Sequence, residues 1–508
     1  MSGASDVTNE LTLLRALVST LQQENALLRQ KVEALIRRVF GSSSERIDPA
    51  QLELLLQLAA GATPTPDVLR VEVIRSRPSR QPRAQRLPEN LPVVEQVIDP
   101  EPVKTQPEQW RLIGQEVSEQ LDYEPAHFLR RRLIRRKYVH TSDPDRAPII
   151  APLPEKLQER GVAGPGLLAH VVVSKYCDHL PLYRQEQIFA QRHKINLPRQ
   201  SLARWIELCA DWLQPIYEHI RTGVLAGGYV QADETPIEYL APGNGQTKQG
   251  YLWTCSRPGG DVFYRWETSR AAECLGHLLG REFQGVVQCD GYSAYRAFAQ
   301  RTREIKLSGC WAHARRKFHE AREQTPGRAG WILRQIQHLY RIEARLRETK
   351  AGPALRQSVR SHQSRPIVER LRQTLVLFKS SRRHLPQSLL GQAIDYALGQ
   401  WTTLEVYLED GRVEIDNNLV ENAIRPTAIG KKNWLFIGEA GAGQRGAIIY
   451  SIIESCRRRK IDPYTYLRAL LQRLPHMTNQ QIPQVTPAAW AKAQRKIGRT
   501  SRSSSAPS

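Results

Sequence analysis

Paired cysteine is the first thing this sequence lacks. Its seven cysteines, Cys177, Cys209, Cys255, Cys274, Cys289, Cys310 and Cys456, are odd in number, scattered, and nowhere closer than fifteen residues. That excludes a disulfide framework and fits a reduced compartment. Long apolar runs are missing too: none approaches the roughly 18 residues of a membrane span. The opening MSGASDVTNELTLL has no basic stretch leading into an apolar core, so a secretory leader is not expected. A soluble cytoplasmic chain with no membrane partner is the reading. Acidic residues are in short supply, 51 against 73 Lys plus Arg, which leaves a formal charge of +22. Such a surplus favours a polyanionic partner, nucleic acid before membrane. With 508 residues the chain has room for several domains and a core that needs no staple.

Residues 1–47 are expected to form a leucine-zipper coiled coil. Leu14, Leu21, Leu28 and Leu35 occupy one heptad position, and Leu11, Val18, Asn25, Val32 and Val39 the other. β-branched residues at a with Leu at d favour two parallel strands, and one Asn at a sets the register. A homo-oligomer joined through Leu14, Leu21, Asn25, Leu28 and Leu35 follows. No basic helix precedes the zipper, so it is not expected to grip DNA itself. Residues 48–108, with RSRPSRQPRAQR, read as a basic Pro/Arg-rich linker. Residues 109–145 alternate in strand fashion and become strongly basic, as in a small β module, and contain no cysteine.

Residues 146–222 are expected to be helical. PLYRQEQIFAQRHKINLPRQSLARWIELCADWL predicts a helix to about 193, a turn with Asn196 and Pro198, and a second helix with Ser201, Arg204 and Trp205 near its start. This is helix-turn-helix grammar, with Arg204 a DNA-contact candidate. Two packed helices without a DNA role fit the pattern equally.

After Gly227-Gly228 the period becomes extended. Three strands (GYVQADETPIEYL, QGYLWTCSR, DVFYRWETS), a helix (RAAECLGHLLG), a strand (GVVQCDGYSAY), then a helix and EIKLSGCWAH follow in the order β-β-β-α-β-α-β. That order matches a ribonuclease-H-like α/β fold, in which the fourth strand lies parallel beside the first. Asp233 on the first strand and Asp290 at the end of the fourth then become neighbours. Carboxylate oxygens suit Mg²⁺ or Mn²⁺, and paired ions can serve both oxygens of a displacement. Taken singly, an Asp at a strand end reads as a turn cap. The catalytic domain is expected over 223–450, with a helical insertion over about 320–410.

EIDNNLVENAIRP (414–426) supplies three more carboxylates. With a helix from about Asp416 and an Ile-Arg-Pro stop, Asn417, Asn418, Glu421, Asn422 and Arg425 share a polar face. Asp416 reads as an N-cap, Glu414 as a bystander, and Glu421 as either a partner of Arg425 or the missing member of the site. Residues 451–508 are expected to be a C-terminal helical segment with a disordered basic tail.

The blocks QADETPIEYL, QCDGYSAYR, GCWAHARRKF, IDNNLVENAIRP and GKKNWLFIGEAGAGQRGA, with FGSSSERIDPAQL, GQEVSEQLDY and SKYCDHLPLYRQE before them, resemble in order those of the transposases of the insertion sequence sixty-six family. The resemblance covers most of the chain. It implies a DDE transposase in which Asp233, Asp290 and Glu421 are catalytic and hold Mg²⁺ or Mn²⁺ on a ribonuclease-H-like core. It also implies double-stranded DNA partners, the element's ends and a target, with accessory proteins of the same element as further partners, in a bacterial, nucleoid-associated setting. Arg425, Lys431, Lys432 and Trp434 are expected to contact phosphates and bases, or else to form a solvated basic turn with a core Trp. Two departures stand out. DPEPVKTQPEQWRLIG has no cysteine where members carry a zinc module, so no zinc is expected, and Cys310 with His313 is half a site. Asn422 stands where an Arg often follows the glutamate. The rival readings are a metal nuclease that cuts without joining and a catalytically silent DNA-binding derivative.

Overall fold

A computed structural model describes residues 91–503, apart from 125, 126, 144, 160, 242, 244, 303 and 382–384. The heptad segment, with Leu14, Leu21, Asn25, Leu28 and Leu35, lies outside the described residues, as does most of the expected linker. What is described is mixed α/β. Strand β1 (Val93–Ile98) begins inside that expected linker, because VVEQVI is β-branched enough to add to a sheet. It pairs parallel with β3 (His127–His140), which lies between it and β2 (Trp110–Glu124) in the order β1-β3-β2, and the short β4 (Ile149–Ile150) pairs with β3. The basic run on β3 is matched across the sheet. Arg130 pairs with Glu119 at 2.9 Å, Arg132 with Glu95 at 3.0 Å and Lys137 with Glu116 at 3.0 Å, while Arg131 meets Asp122 and Arg135 meets Glu116. The more exposed of these pairs add little stability each, but together the pairs neutralise charge that the sequence alone presents as free.

Asp122 also reaches the next layer. Its buried carboxylate accepts from the Leu167 amide at 3.2 Å, in the first turn of α1 (Pro165–Tyr176). A Cβ on Gly166 would stand 2.4 Å from that oxygen, so only glycine lets the strand approach. Helix α2 (Leu182–His193) ends on Lys194 in the left-handed region, and α3 (Arg199–Leu225) follows. Leu202, Ile206, Cys209, Leu213, Ile216 and Ile220 form a buried stripe at helical spacing along α3. That stripe packs on the main sheet, where Tyr217 donates to the Tyr264 carbonyl at 2.9 Å.

The main sheet contains β5 (Tyr229–Leu240), β6 (Thr247–Ser256), β7 (Val262–Glu267), β8 (Gly285–Gln288) and β9 (Ile305–Ser308), in the order β7-β6-β5-β8-β9. The first three form an antiparallel meander, whereas β8 runs parallel to both β5 and β9. Helix α4 (Glu273–Leu279) joins β7 to β8, and α5 (Ser293–Arg301) joins β8 to β9. Side chains alternate across this sheet. Val230, Ala232 and Val287 enter a core shared with α1 and α3, while Tyr229 and Val286 face the opposite way into a second core.

That second core belongs to a helical insertion, which begins at α6 (Trp311–Ala321) rather than near 320. Helices α7 (Pro326–Glu348), α8 (Pro353–Val359), α9 (Arg365–Ser380), α10 (Leu389–Gly399) and α11 (Trp401–Glu409) follow. Arg360, fully buried, binds Glu343 at 2.7 Å and the Tyr407 carbonyl at 2.7 Å, so its charge is paired and its donors are directed.

Beyond the insertion come α12 (Asn418–Trp434), the short β10 (Phe436–Ile437) beside β5, α13 (Ala440–Arg458), α14 (Pro463–Arg473) and α15 (Pro487–Ser503). The expected boundary at 450 falls inside α13, and the expected C-terminal helical segment reaches Ser503. Helix α13 seals an exposed sheet edge. Amides at alternate positions of β7 donate to its side chains: Val262 to Ser455 at 3.1 Å, Tyr264 to Ser451 at 2.9 Å and Trp266 to Gln444 at 3.2 Å. An open edge would otherwise template pairing with another chain. Ser451→Ala is expected to leave the Tyr264 amide unpaired and to cost about 1–3 kcal/mol in denaturant unfolding. A change within experimental error would mean that the helix does not hold this edge.

Candidate active site

Both aspartates of the expected site follow a glutamine by two residues, in QAD (231–233) and QCD (288–290). Gln231 and Gln288 are register partners on the parallel strands β5 and β8, and both are fully buried. Gln231 donates to the Gln288 carbonyl oxygen at 3.0 Å, and so does the Tyr229 hydroxyl at 2.7 Å. Two residues on, past the last paired positions, come Asp233 and Asp290, near enough for the Asp290 charge to act on Asp233. Adjacent strands lie only about 4.8 Å apart. Gly291 then turns the chain beneath the insertion, where a Cβ would stand 2.5 Å from the Gln400 amide.

The same glutamines hold the approach to α12. Gln288 donates to the Glu414 carbonyl at 2.7 Å, Gln231 to the Asp416 carbonyl at 2.8 Å, and the Glu414 amide donates to the Tyr229 hydroxyl at 3.0 Å. Glu421 therefore starts one helical turn from a segment anchored between the two aspartate strands. Farther along α12, Tyr264 donates to the Ala423 carbonyl and Arg458 to the Leu419 carbonyl at 2.9 Å.

Asp233, Asp290 and Glu421 are all half-buried. Burial, with the charges of Glu234, Asp290 and Glu421, pushes the Asp233 carboxyl up to about 8. Carboxylates gathered at one half-buried place form an oxygen donor set suited to a hard divalent cation. Oε1 of Glu421 is closed to solvent and has no hydrogen-bond partner, as an oxygen reserved for a cation would be. The residues present therefore fit the implied metal.

The neighbouring carboxylates have other partners. Glu234 receives Arg270 at 2.6 Å and the Tyr295 hydroxyl at 2.9 Å, and the Arg270 guanidinium lies 3.7 Å from the centre of the Tyr292 ring. Glu414 is not a bystander: it pairs with Arg347 at 2.9 Å and Arg356 at 2.8 Å. Burial opposes its ionisation, but the two guanidinium groups outweigh that and hold it below the usual carboxylate range. Asp416 is not the N-cap either. Asn417 holds that position, and Asp416 accepts from the Asn418 amide at 3.2 Å from one residue farther out. Asn417, expected on the polar face, is fully buried, and the helix runs through Pro426 to Trp434 instead of stopping. Among the described residues, Glu421 faces His313 at 3.6 Å and Arg316 at 4.0 Å rather than Arg425.

The expected DNA contacts separate. Arg204, Arg425 and Lys432 are exposed. Lys431 is half-buried and donates to the Pro236 carbonyl at 3.1 Å; burial and the Lys432 charge lower its pKa. Trp434 lines a cavity of about 390 Å³ with Tyr176, Ile237, Leu252 and Trp266, packed rather than presented. Reading the sequence missed Gln231, Gln288, Tyr229 and Arg316, although the repeated Gln-x-Asp spacing was a signal for the first two.

Because the folded-state value of Asp233 is raised, its contribution to stability is fully present below its ordinary value of 3.8 and is lost as pH climbs through about 8. In chelator, Asp233→Asn should therefore raise Tm more at about pH 9 than at about pH 5. A gain independent of pH would contradict the raised value that burial and the neighbouring charges give Asp233.

Comparison with known proteins gives the family. A family model described as transposase IS66 family matches residues 160–445, one for the IS66 C-terminal element matches 451–488, and one described as transposase C of IS166 homeodomain matches 27–95. A protein of Sinorhizobium fredii named uncharacterized protein y4qI is 34% identical over 487 residues, covering 92% of this chain and 89% of its own length. Another from the same organism, y4jD, is 34% identical over 489 residues, covering 91% and 94%, and y4hP is 28% identical over 499 residues, covering 92% and 89%. The first family match alone spans more than half of the 508 residues, and this chain belongs to the IS66 family of transposases.

Proposed function

We propose that this transposase cleaves DNA strands at the ends of its element and joins them to target DNA, with Asp233, Asp290 and Glu421 as the catalytic carboxylates on a ribonuclease-H-like core. One observation supports the reading: Gln231 and Gln288, each two residues before an aspartate, are register partners and both donate to the backbone of the segment that leads to Glu421. A meander of three strands extended by two parallel strands supports the core assignment.

Asp233, Asp290 and Glu421 would hold divalent cations of the Mg²⁺ class, with Mn²⁺ as the alternative. When bound, these supply positive charge to the attacking and leaving oxygens of an in-line phosphodiester displacement. Cleavage by water and joining by the freed 3′-hydroxyl are the same type of displacement, so one carboxylate set serves both. No covalent enzyme intermediate is needed. Arg270 and Tyr295 keep Glu234 occupied, which leaves the cation to Asp233, Asp290 and Glu421. The exposed Arg316, Arg425 and Lys432 lie on or next to the helix that bears Glu421 and are suited to hold phosphates. The heptads at residues 11–39 would join two protomers, so that two DNA ends are held together.

Glu421→Gln is expected to reduce transposition of a marked element on the order of a thousand-fold or more while DNA binding stays within a few-fold. Pre-cut ends separate the rival activity, since cleavage without any joined product in the wild type would identify a nuclease instead. Affinity for DNA should also fall at least ~10-fold between about 50 and 200 mM salt, as release of counterions from several phosphates demands. A flat salt profile would argue against phosphate-dominated binding.

A further inference from the structure

Two donors that the proposed chemistry does not use converge on Glu421. Cys310 is the N-cap of α6 and His313 the third residue of that helix, so one turn places both on the side facing α12. The ligand atoms of Cys310, His313 and Glu421 all lie within 4.8 Å of one another. Nδ1 of His313 and Oε1 of Glu421 are both closed to solvent, both without a hydrogen-bond partner, and 3.6 Å apart. That gap is too long for a hydrogen bond. Ligand atoms around a tetrahedral zinc stand roughly 3.3–3.8 Å apart, so it is the spacing of two donors that share an ion.

We propose that Cys310, His313 and Glu421 form a site for a soft divalent cation of the zinc class, sharing Glu421 with the hard-cation site of Asp233 and Asp290. The donor set decides the class of ion. Thiolate and imidazole favour zinc-type ions, whereas carboxylates alone favour magnesium-type ions. Three protein ligands leave a fourth position open to solvent or DNA. On binding, the Cys310 proton leaves to solvent and sulfur takes its place as a ligand. Arg316 stands 4.0 Å from the other oxygen of Glu421, and its mostly exposed side chain is free to swing aside. The half site noted in the sequence thus gains its third ligand from a helix more than a hundred residues away. One carboxylate cannot orient toward both sites at once, so a zinc-class ion here would compete with strand cleavage. That competition rests on the proposed function; the binding does not.

Cobalt(II) titrated into the full chain reads the site without activity. The expected result is a thiolate-to-cobalt charge-transfer band saturating at one equivalent and displaced by zinc. Cys310→Ser should abolish the band, His313→Gln should weaken cobalt binding ~10-fold or more, and Asp233→Asn should retain both band and affinity. No band in the wild type, or a band that survives Cys310→Ser, overturns the proposal. Should Cys310→Ser fail to fold, His313→Gln decides alone, because its position is half-buried and an unchanged cobalt affinity there is equally fatal. Absence of Mg²⁺-dependent cleavage in the wild type would sink the proposed function and leave the cobalt result standing.

Discussion

A pair of buried amides holds this transposase together where it matters. Gln231 and Gln288 lie side by side in the middle of the sheet, each with no exposed surface. Buried polar groups cost free energy unless they find partners. Here the partners are the Tyr229 hydroxyl and the backbone of Gly309, Glu414 and Asp416, with only Oε1 of Gln231 unanswered. The need to satisfy two amides therefore fixes where a segment more than a hundred residues downstream must lie. Sheet, insertion and α12 all meet at this point.

From that constraint follows the division of labour among the carboxylates. Glu234 and Glu414 sit within reach of guanidinium groups and become structural anions. Asp416 is turned toward the first amide of α12. Asp233 has instead a concentration of like charge around it, and Glu421 has an oxygen with no donor. Identical chemical groups thus acquire different roles from what stands within about 4 Å of each, the range over which charge and hydrogen bonding set a carboxylate's state. The two cores reinforce this arrangement. One lies under the face bearing Val230 and Ala232, and the other lies under the insertion, so the strand ends between them cannot shift independently.

Charge follows the same rule. The most basic stretch of the β module is answered by Glu95, Glu116, Glu119 and Asp122 on neighbouring strands. Much of the positive charge on β3 goes into cross-strand pairing, while Arg425 and Lys432, on the helix that bears Glu421, are exposed. Cross-strand partners are invisible to a reading along the chain, because neither strand announces its register.

Local pattern determined much of this protein. Alternation marked β2, β3 and β5–β7, helical spacing and the turn at Asn196–Pro198 marked α2 and α3, and the order of strands and helices set β8, which ends two residues before Asp290, parallel beside the strand of Asp233. Those features depend on residues a few positions apart, where side-chain period and backbone preference act directly. Tertiary structure alone decided the rest. It carried α12 through Pro426, buried Asn417, made Glu414 an ion-pair anchor, packed Trp434 into a cavity wall, and brought Cys310 and His313 to Glu421. Each of these outcomes is set by a partner distant in sequence, and burial and hydrogen bonding belong to the folded neighbourhood rather than to the residue.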